Sequence, residues 1–406
     1  MKKVLVPLVI VAVLLGAYFL AAGIIDTKVK SAASGLRSAG YATAAADVAQ
    51  LFHAGSTATA DVYKQAAVHF TRQDRERLAY FDTLGWSTAP AGLESLRTAN
   101  AEILGLVMKA SAMEPANFGL EYQKGMAAKL CDILPAFQGF RVLLSVEARV
   151  LAAQGKPDSA LAVLGASFRL AHALAEPILL YTLVEHSGLD TAFMLAARIA
   201  PAASPAAVER LAVTLESLDF GADFARSLQG EGAWVQNALA TGQTYFTPDD
   251  ATGEHSSSPA VSFLPLRRYA QWKQLEGEAQ QLAFADKPWY QGLPLLEQHE
   301  KSFAGTGPLD RLARFGISPA RLSYLRIERH AALRDVALAA LAVLGERRRT
   351  GKLPAELDSS VPVDRFSGKP YVYKTTPGGF VVYSVGSDGE DNGGDANKDL
   401  ALNVRI

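Results

Sequence analysis

From Asp26 to Ala240 the chain returns an apolar residue every three or four positions and rarely alternates apolar with polar residues. That spacing lines one face of a 3.6-residue helix, so more than half of the chain predicts packed helices rather than sheet. Turn signals divide the stretch at Gly35, Gly55, Gly85 to Pro90, Gly155-Lys156-Pro157 and Pro201 to Pro205. The segment Val142 to Leu174 predicts two antiparallel helices joined at Gly155, with Asp158 or Ser159 as N-cap of the second.

The order Ala148, Leu151, Gly155, Ala160, Leu164 in that hairpin resembles the middle of a tetratricopeptide repeat, where small residues let helices approach. No second copy follows at a spacing of about 34 residues, so the expectation is an irregular helical array. A chain of 406 residues has room for several modules. Composition divides it into an N-terminal segment over 1–25, a helical body over 26–240, a polar Thr, Ser, Gly and Pro linker over 241–262, further helices over 263–317 and a C-terminal α+β module over 318–406. Within the fourth part, Leu266 to Glu300 is helical, with interruptions expected at Pro288 and Pro294. In the last, Ser318-Pro319 predicts a helix start, and Leu333, Val336, Ala337, Ala340, Leu341 and Leu344 form one apolar face until Gly351 and Pro354. Tyr371 to Tyr373 and Phe380 to Tyr383 then predict an antiparallel hairpin around Pro377-Gly378-Gly379.

At the N-terminus, Val4 to Ile25 contains no charge and follows Lys2 and Lys3. A run near 20 apolar residues predicts a single transmembrane helix, and the flanking lysines predict a cytoplasmic tip. The expectation is a signal anchor in a bacterial inner membrane, with the body in the periplasm or another extracytoplasmic space. A cleaved signal peptide is the alternative, because Ala21-Ala22-Gly23 offers small residues to a peptidase. Cys131 is the only cysteine, which excludes an intrachain disulfide and CxxC chemistry. The formal net charge of −1 gives no basic surplus, so nucleic acid is not an expected partner.

After the second strand comes GSDGEDNGGDANKDL, from Gly386 to Leu400, where four Asp and one Glu crowd among Gly and Asn. Calcium takes six to eight oxygen ligands, which such a loop can supply; a solvated turn is the bland alternative. Counting Asp388 as the first position, the loop overlays partly on an EF-hand, but its twelfth position is Asp399 rather than Glu and a strand enters it. The long helix, the run Val363-Asp364-Arg365-Phe366-Ser367-Gly368-Lys369-Pro370, the segment Tyr383 to Gly389 and Asp399-Leu400 resemble the globular head of the major pseudopilin of type II secretion systems. The resemblance covers about the last 80 residues and implies a small αβ head whose loop binds calcium, with Asp388, Asp399 and, less directly matched, Asp395 as ligands. The N-terminus MKKVLVPLVIVAVLLGAYFL lacks that family's cleavage site and its buried glutamate, so the chain cannot enter a pseudopilus in the usual way.

No Walker A loop, HExxH, GxSxG or GxGxxG is present, which argues against the common hydrolase and nucleotide chemistries. His172, Glu176, Glu185 and His186 form the one sequence-level group that folding could gather into a metal or acid-base cluster, although Pro177 separates them. The functional expectation is a membrane-anchored helical scaffold that binds other envelope proteins and carries a calcium-stabilised C-terminal module, without catalytic activity. The alternatives are an accessory part of a secretion or pilus-like assembly and an envelope enzyme with its site in the helical body.

Overall fold

The structure is a computed structural model that describes residues 2–52, 55–70, 93–121, 124, 133–241, 263–314, 317 and 320–406. Cys131, the turn at Gly85 to Pro90, the helix start Ser318-Pro319 and all of the linker beyond Thr241 lie outside the described residues. The chain is mostly helical with one small sheet, as the periodicity predicts. The described helices are α1 (Lys2–Ser38), α2 (Ala45–Phe52), α3 (Thr57–Val68), α4 (Leu93–Ala99), α5 (Ala101–Ala110), α6 (Leu134–Ala153), α7 (Pro157–Arg169) and α8 (Leu179–Glu185). They continue with α9 (Leu189–Ile199), α10 (Pro205–Glu216), α11 (Phe220–Thr241), α12 (Leu264–Ala285), α13 (Trp289–Ser302), α14 (Pro308–Ala313) and α15 (Ala320–Thr350).

Helices α6 and α7 form the expected hairpin through Gln154-Gly155-Lys156. The N-cap differs from expectation. Pro157 opens α7, so Lys156 holds the cap position, and Asp158 instead accepts hydrogen bonds from the Ser204 amide (2.7 Å) and hydroxyl (2.6 Å), tying the hairpin to the start of α10. Pro288 caps α13 as a break should, whereas Pro294 lies inside α13 without ending it. Trp289, buried, packs its ring 5.3 Å from Tyr324 and 6.1 Å from Phe366, which ties α13 to α15 and to the segment before the sheet.

Strands β1 (Val372–Thr376), β2 (Gly379–Ser384) and β3 (Leu400–Arg405) make an antiparallel meander in sequence order. Thr376 pairs with Gly379 across the predicted turn, and Ser384 pairs with Leu400 where the acidic loop leaves and returns. All six residues of β2 are buried, because it is the central strand, α15 packs on the sheet, and Gly394 of the acidic loop lies beside Val381 and Tyr383. Helix α15 packs on the sheet and on α9, α10, α11 and α13, so one hydrophobic core runs through body and sheet.

The N-terminal expectation requires correction. Val4 to Ile25 is helical, but among the described residues no helix is long and apolar enough to cross a membrane. This overturns the transmembrane helix, the signal anchor and the single-pass inner-membrane placement. The physical reason lies in how α1 continues. It runs on through Asp26, Lys28, Lys30 and Arg37, and it packs along α12. The Lys28 ammonium sits 4.0 Å over the Trp272 ring, Arg268 reaches Asp26 at 3.5 Å, and the Tyr18 and Phe263 rings meet edge to face at 5.2 Å.

Candidate functional site

The acidic loop folds through its own side chains. Asp388 accepts from the Glu390 amide and from Asn392 Nδ2, both at 3.0 Å. Asp399, 1% exposed, accepts from the Gly394 amide at 2.6 Å and from the Asn392 amide at 3.4 Å. Asn392 therefore joins Asp388 to Asp399, while Asp395 accepts from Asn397 within a turn of its own. Asp391, which the sequence reading passed over, accepts from the Tyr383 hydroxyl at 2.7 Å and the Gly393 amide at 2.9 Å. Its carboxyl is held below the usual range by that Tyr383 hydrogen bond and then by the Gly393 amide. Among the described residues no three His, Cys, Asp or Glu side chains converge as a cation site.

The group His172, Glu176, Glu185 and His186 is split by the turn at Pro177. Glu176 points away and accepts from the Phe118 amide. The other three enter a polar interior where α3, α6, α8, α9, α11 and α15 meet. His172 Nδ1 faces Asp223 at 3.0 Å. Glu185, 4% exposed, accepts from the Leu174 amide at 2.6 Å; burial pushes its carboxyl well above the usual range, and the charge of Asp223 adds to this. His186 is fully enclosed, edge-on to Phe220 at 4.9 Å and to His330 at 5.8 Å, and burial pushes its protonation well below the ordinary histidine range. His330 Nε2 in turn lies 3.4 Å from Asp190.

Two residues that the sequence reading missed complete this interior. Arg141, on α6, is 3% exposed. One Nη donates to the Ser187 carbonyl, Nε has no partner among the described residues, and no carboxylate among them forms an ion pair with the guanidinium. Burial weakens its hold on the proton to about 10, with Glu185 and Tyr63 acting in the opposite sense, so it stays charged at neutral pH. Tyr63, on α3, is 1% exposed against Phe137, and its hydroxyl has no partner among the described residues. Burial, then the nearby Glu185, raises its pKa, which keeps it a neutral donor. The available signal was Arg141 itself, a cation set between Phe140 and the apolar Val142-Leu143-Leu144.

The run Val363 to Pro370 has a local explanation. Asp364, 1% exposed, accepts from the Ser384 hydroxyl (2.6 Å) and the Phe366 and Val385 amides, fastening the run to the end of β2. Arg365 forms a two-pronged pair with the fully buried Glu328 of α15 at 2.9 and 2.7 Å, and Glu328 also accepts from the Trp289 amide. Comparison with known proteins finds no matching family model, no matching curated protein and no matching solved structure.

Proposed function

We propose that the chain is a non-catalytic helical binding protein whose interior takes one small oxyanion, a carboxylate or a phosphate, between Arg141 and Tyr63. The observation that carries this reading is a charged, enclosed guanidinium that forms no ion pair with any described residue and whose Nε has no partner among them. An uncompensated buried charge costs several kcal/mol, roughly, and an unmet buried donor about 1–3 kcal/mol more. An oxyanion would relieve both and would also accept from the Tyr63 hydroxyl. Glu185 is a poor substitute, because one of its oxygens is taken by the Leu174 amide and burial favours its neutral form.

The test is a titration of inorganic phosphate, and separately of acetate, into the full chain at constant ionic strength, with melting and heat of binding as readouts. Saturable stabilisation is expected. Arg141→Met should abolish it while raising the melting temperature of the ligand-free chain, since an unpaired charge has left the interior. Tyr63→Phe should weaken binding with the fold intact. Equal stabilisation by chloride, or an undiminished response in Arg141→Met, overturns the proposal.

A second reading concerns the acidic loop, where a calcium ion would lock the chain after β2. It is supported by Asn392, which brings Asp388 and Asp399 to a shared neighbour in an oxygen-rich turn. Asp395 would have to leave Asn397 to join them. Calcium titration of the full chain, with Asp399→Asn as control, tests this. Heat near one equivalent with a raised melting temperature supports the site, and no response at millimolar calcium removes it.

A further inference from the structure

Helices α10 and α15 run antiparallel. Arg348 near the end of α15 donates to the carbonyls of Ala200 and Ala203 just before α10, and Arg334 reaches the Leu218 carbonyl just after it. Between them lies an open groove of about 450 Å³, closed on its third side by Val361 and Pro362. Its apolar lining sets the small Ala212, Ala339 and Ala342 beside Val208, Leu338 and Leu341, and a side chain added at Gly345 would meet nothing within 4 Å. Small residues there allow another backbone to approach closely.

The groove's charges are arranged unequally. Arg348 is engaged by backbone carbonyls, and Asp335 is paired with Arg334 at 2.7 Å and hydrogen-bonded by the Tyr371 hydroxyl. Glu209 and Glu216 also line the groove, are exposed, and form no ion pair with any described residue. They stand seven residues apart on α10, two helical turns or about 10.5 Å, on one face. A partner helix repeats at the same spacing, so cations at its i and i+7 positions stand in register with both carboxylates, whereas same-face residues of an extended strand fall about 6.6 or 13 Å apart.

We propose that this groove docks an amphipathic helix of a protein partner, with Lys or Arg at i and i+7 facing Glu209 and Glu216 and small apolar side chains between them on the apolar lining. The mode is helix-in-groove recognition, with packing supplying affinity and the two carboxylates supplying polarity and register. This proposal is independent of the interior oxyanion site.

The experiment measures binding of two synthetic 21-residue helices to the full chain by fluorescence anisotropy. The helices share one apolar stripe and differ in carrying Lys or Glu at the i and i+7 positions. Two exposed ion pairs together are worth roughly tenfold in affinity, so the Lys helix should bind about tenfold tighter than the Glu helix. The double variant Glu209→Lys/Glu216→Lys, on an exposed face, should invert that preference, and Ala342→Trp should block both helices. Equal binding of the two helices, no inversion in the double variant, or no binding of the Lys helix overturns the proposal.

Discussion

Replacing Glu278 with glutamine should stabilise this protein, and by an amount that depends on pH. Helix α12 buries a polar stripe, each residue 3% or 4% exposed, with Gln271, Gln274 and Glu278 against α11 and Gln281 beside His299 of α13. Gln274 donates to one Glu278 oxygen at 3.1 Å, and the other oxygen has no partner among the described residues. The carboxyl lies so close to α11 that a Cβ at Gly232 would sit 2.4 Å from it. Burial pushes Glu278 from 4.5 up to about 8. The folded carboxyl therefore holds a proton that the unfolded chain releases. For a raised acid, stability is fully present below 4.5 and is lost as pH climbs toward 8. At about 1.36 kcal/mol per pKa unit, the loss at pH 7 is about 3 kcal/mol. Glutamine has the same shape, keeps an acceptor for Gln274 and does not ionise. Denaturant midpoints of both proteins should nearly coincide near pH 4.5, and Glu278→Gln should lead increasingly up to about pH 8. A difference that does not vary with pH, or a variant less stable at neutrality, refutes the reasoning.

The enclosed His186 has the opposite sign. Its folded pKa is depressed, so its contribution is present above its unfolded value of 6.5 and is lost as pH falls below it. His186→Leu should flatten the decline in melting temperature between about pH 6.5 and 5, as read from melts of the variant and the native chain. Arg365→Met would leave Glu328 buried without its partner and should cost about 3–5 kcal/mol in chemical denaturation, while the double variant Arg365→Met/Glu328→Leu should recover most of that loss. At Gly386, φ is +72°, and an added Cβ would fall 2.3 Å from the Lys398 carbonyl. Gly386→Ala should destabilise the β2–β3 closure by at least about 1 kcal/mol, seen as faster proteolysis within the acidic loop.

Periodicity and turn chemistry carried the helical body, the α6–α7 hairpin, the long helix α15 and the β1–β2 turn, because each is set by residues close in sequence. The N-terminal segment was misjudged for a related reason. A hydropathy run describes a local stretch, whereas α1 is extended by charged residues that find Trp272 and Arg268 some 240 positions away. The N-cap of α7 failed similarly, because Ser204 outcompetes the local amides for Asp158. The interior around Arg141 draws on six helices, and no spacing rule announces which polar residues will converge. A cation inside an apolar helix is the only local trace that such a group leaves.

The run from Val363 to Pro370 shows the limit of motif resemblance from the other side. Asp364 closes the end of β2, Arg365 grips Glu328 on α15, and Phe366 packs on Trp289. Each residue serves the joint between one long helix and one small sheet. These residues of the run are all engaged in making that joint. What the protein binds has to be argued from groups without a partner among the described residues: the Arg141 Nε and the Tyr63 hydroxyl inside, and the Glu209 and Glu216 carboxylates on the groove.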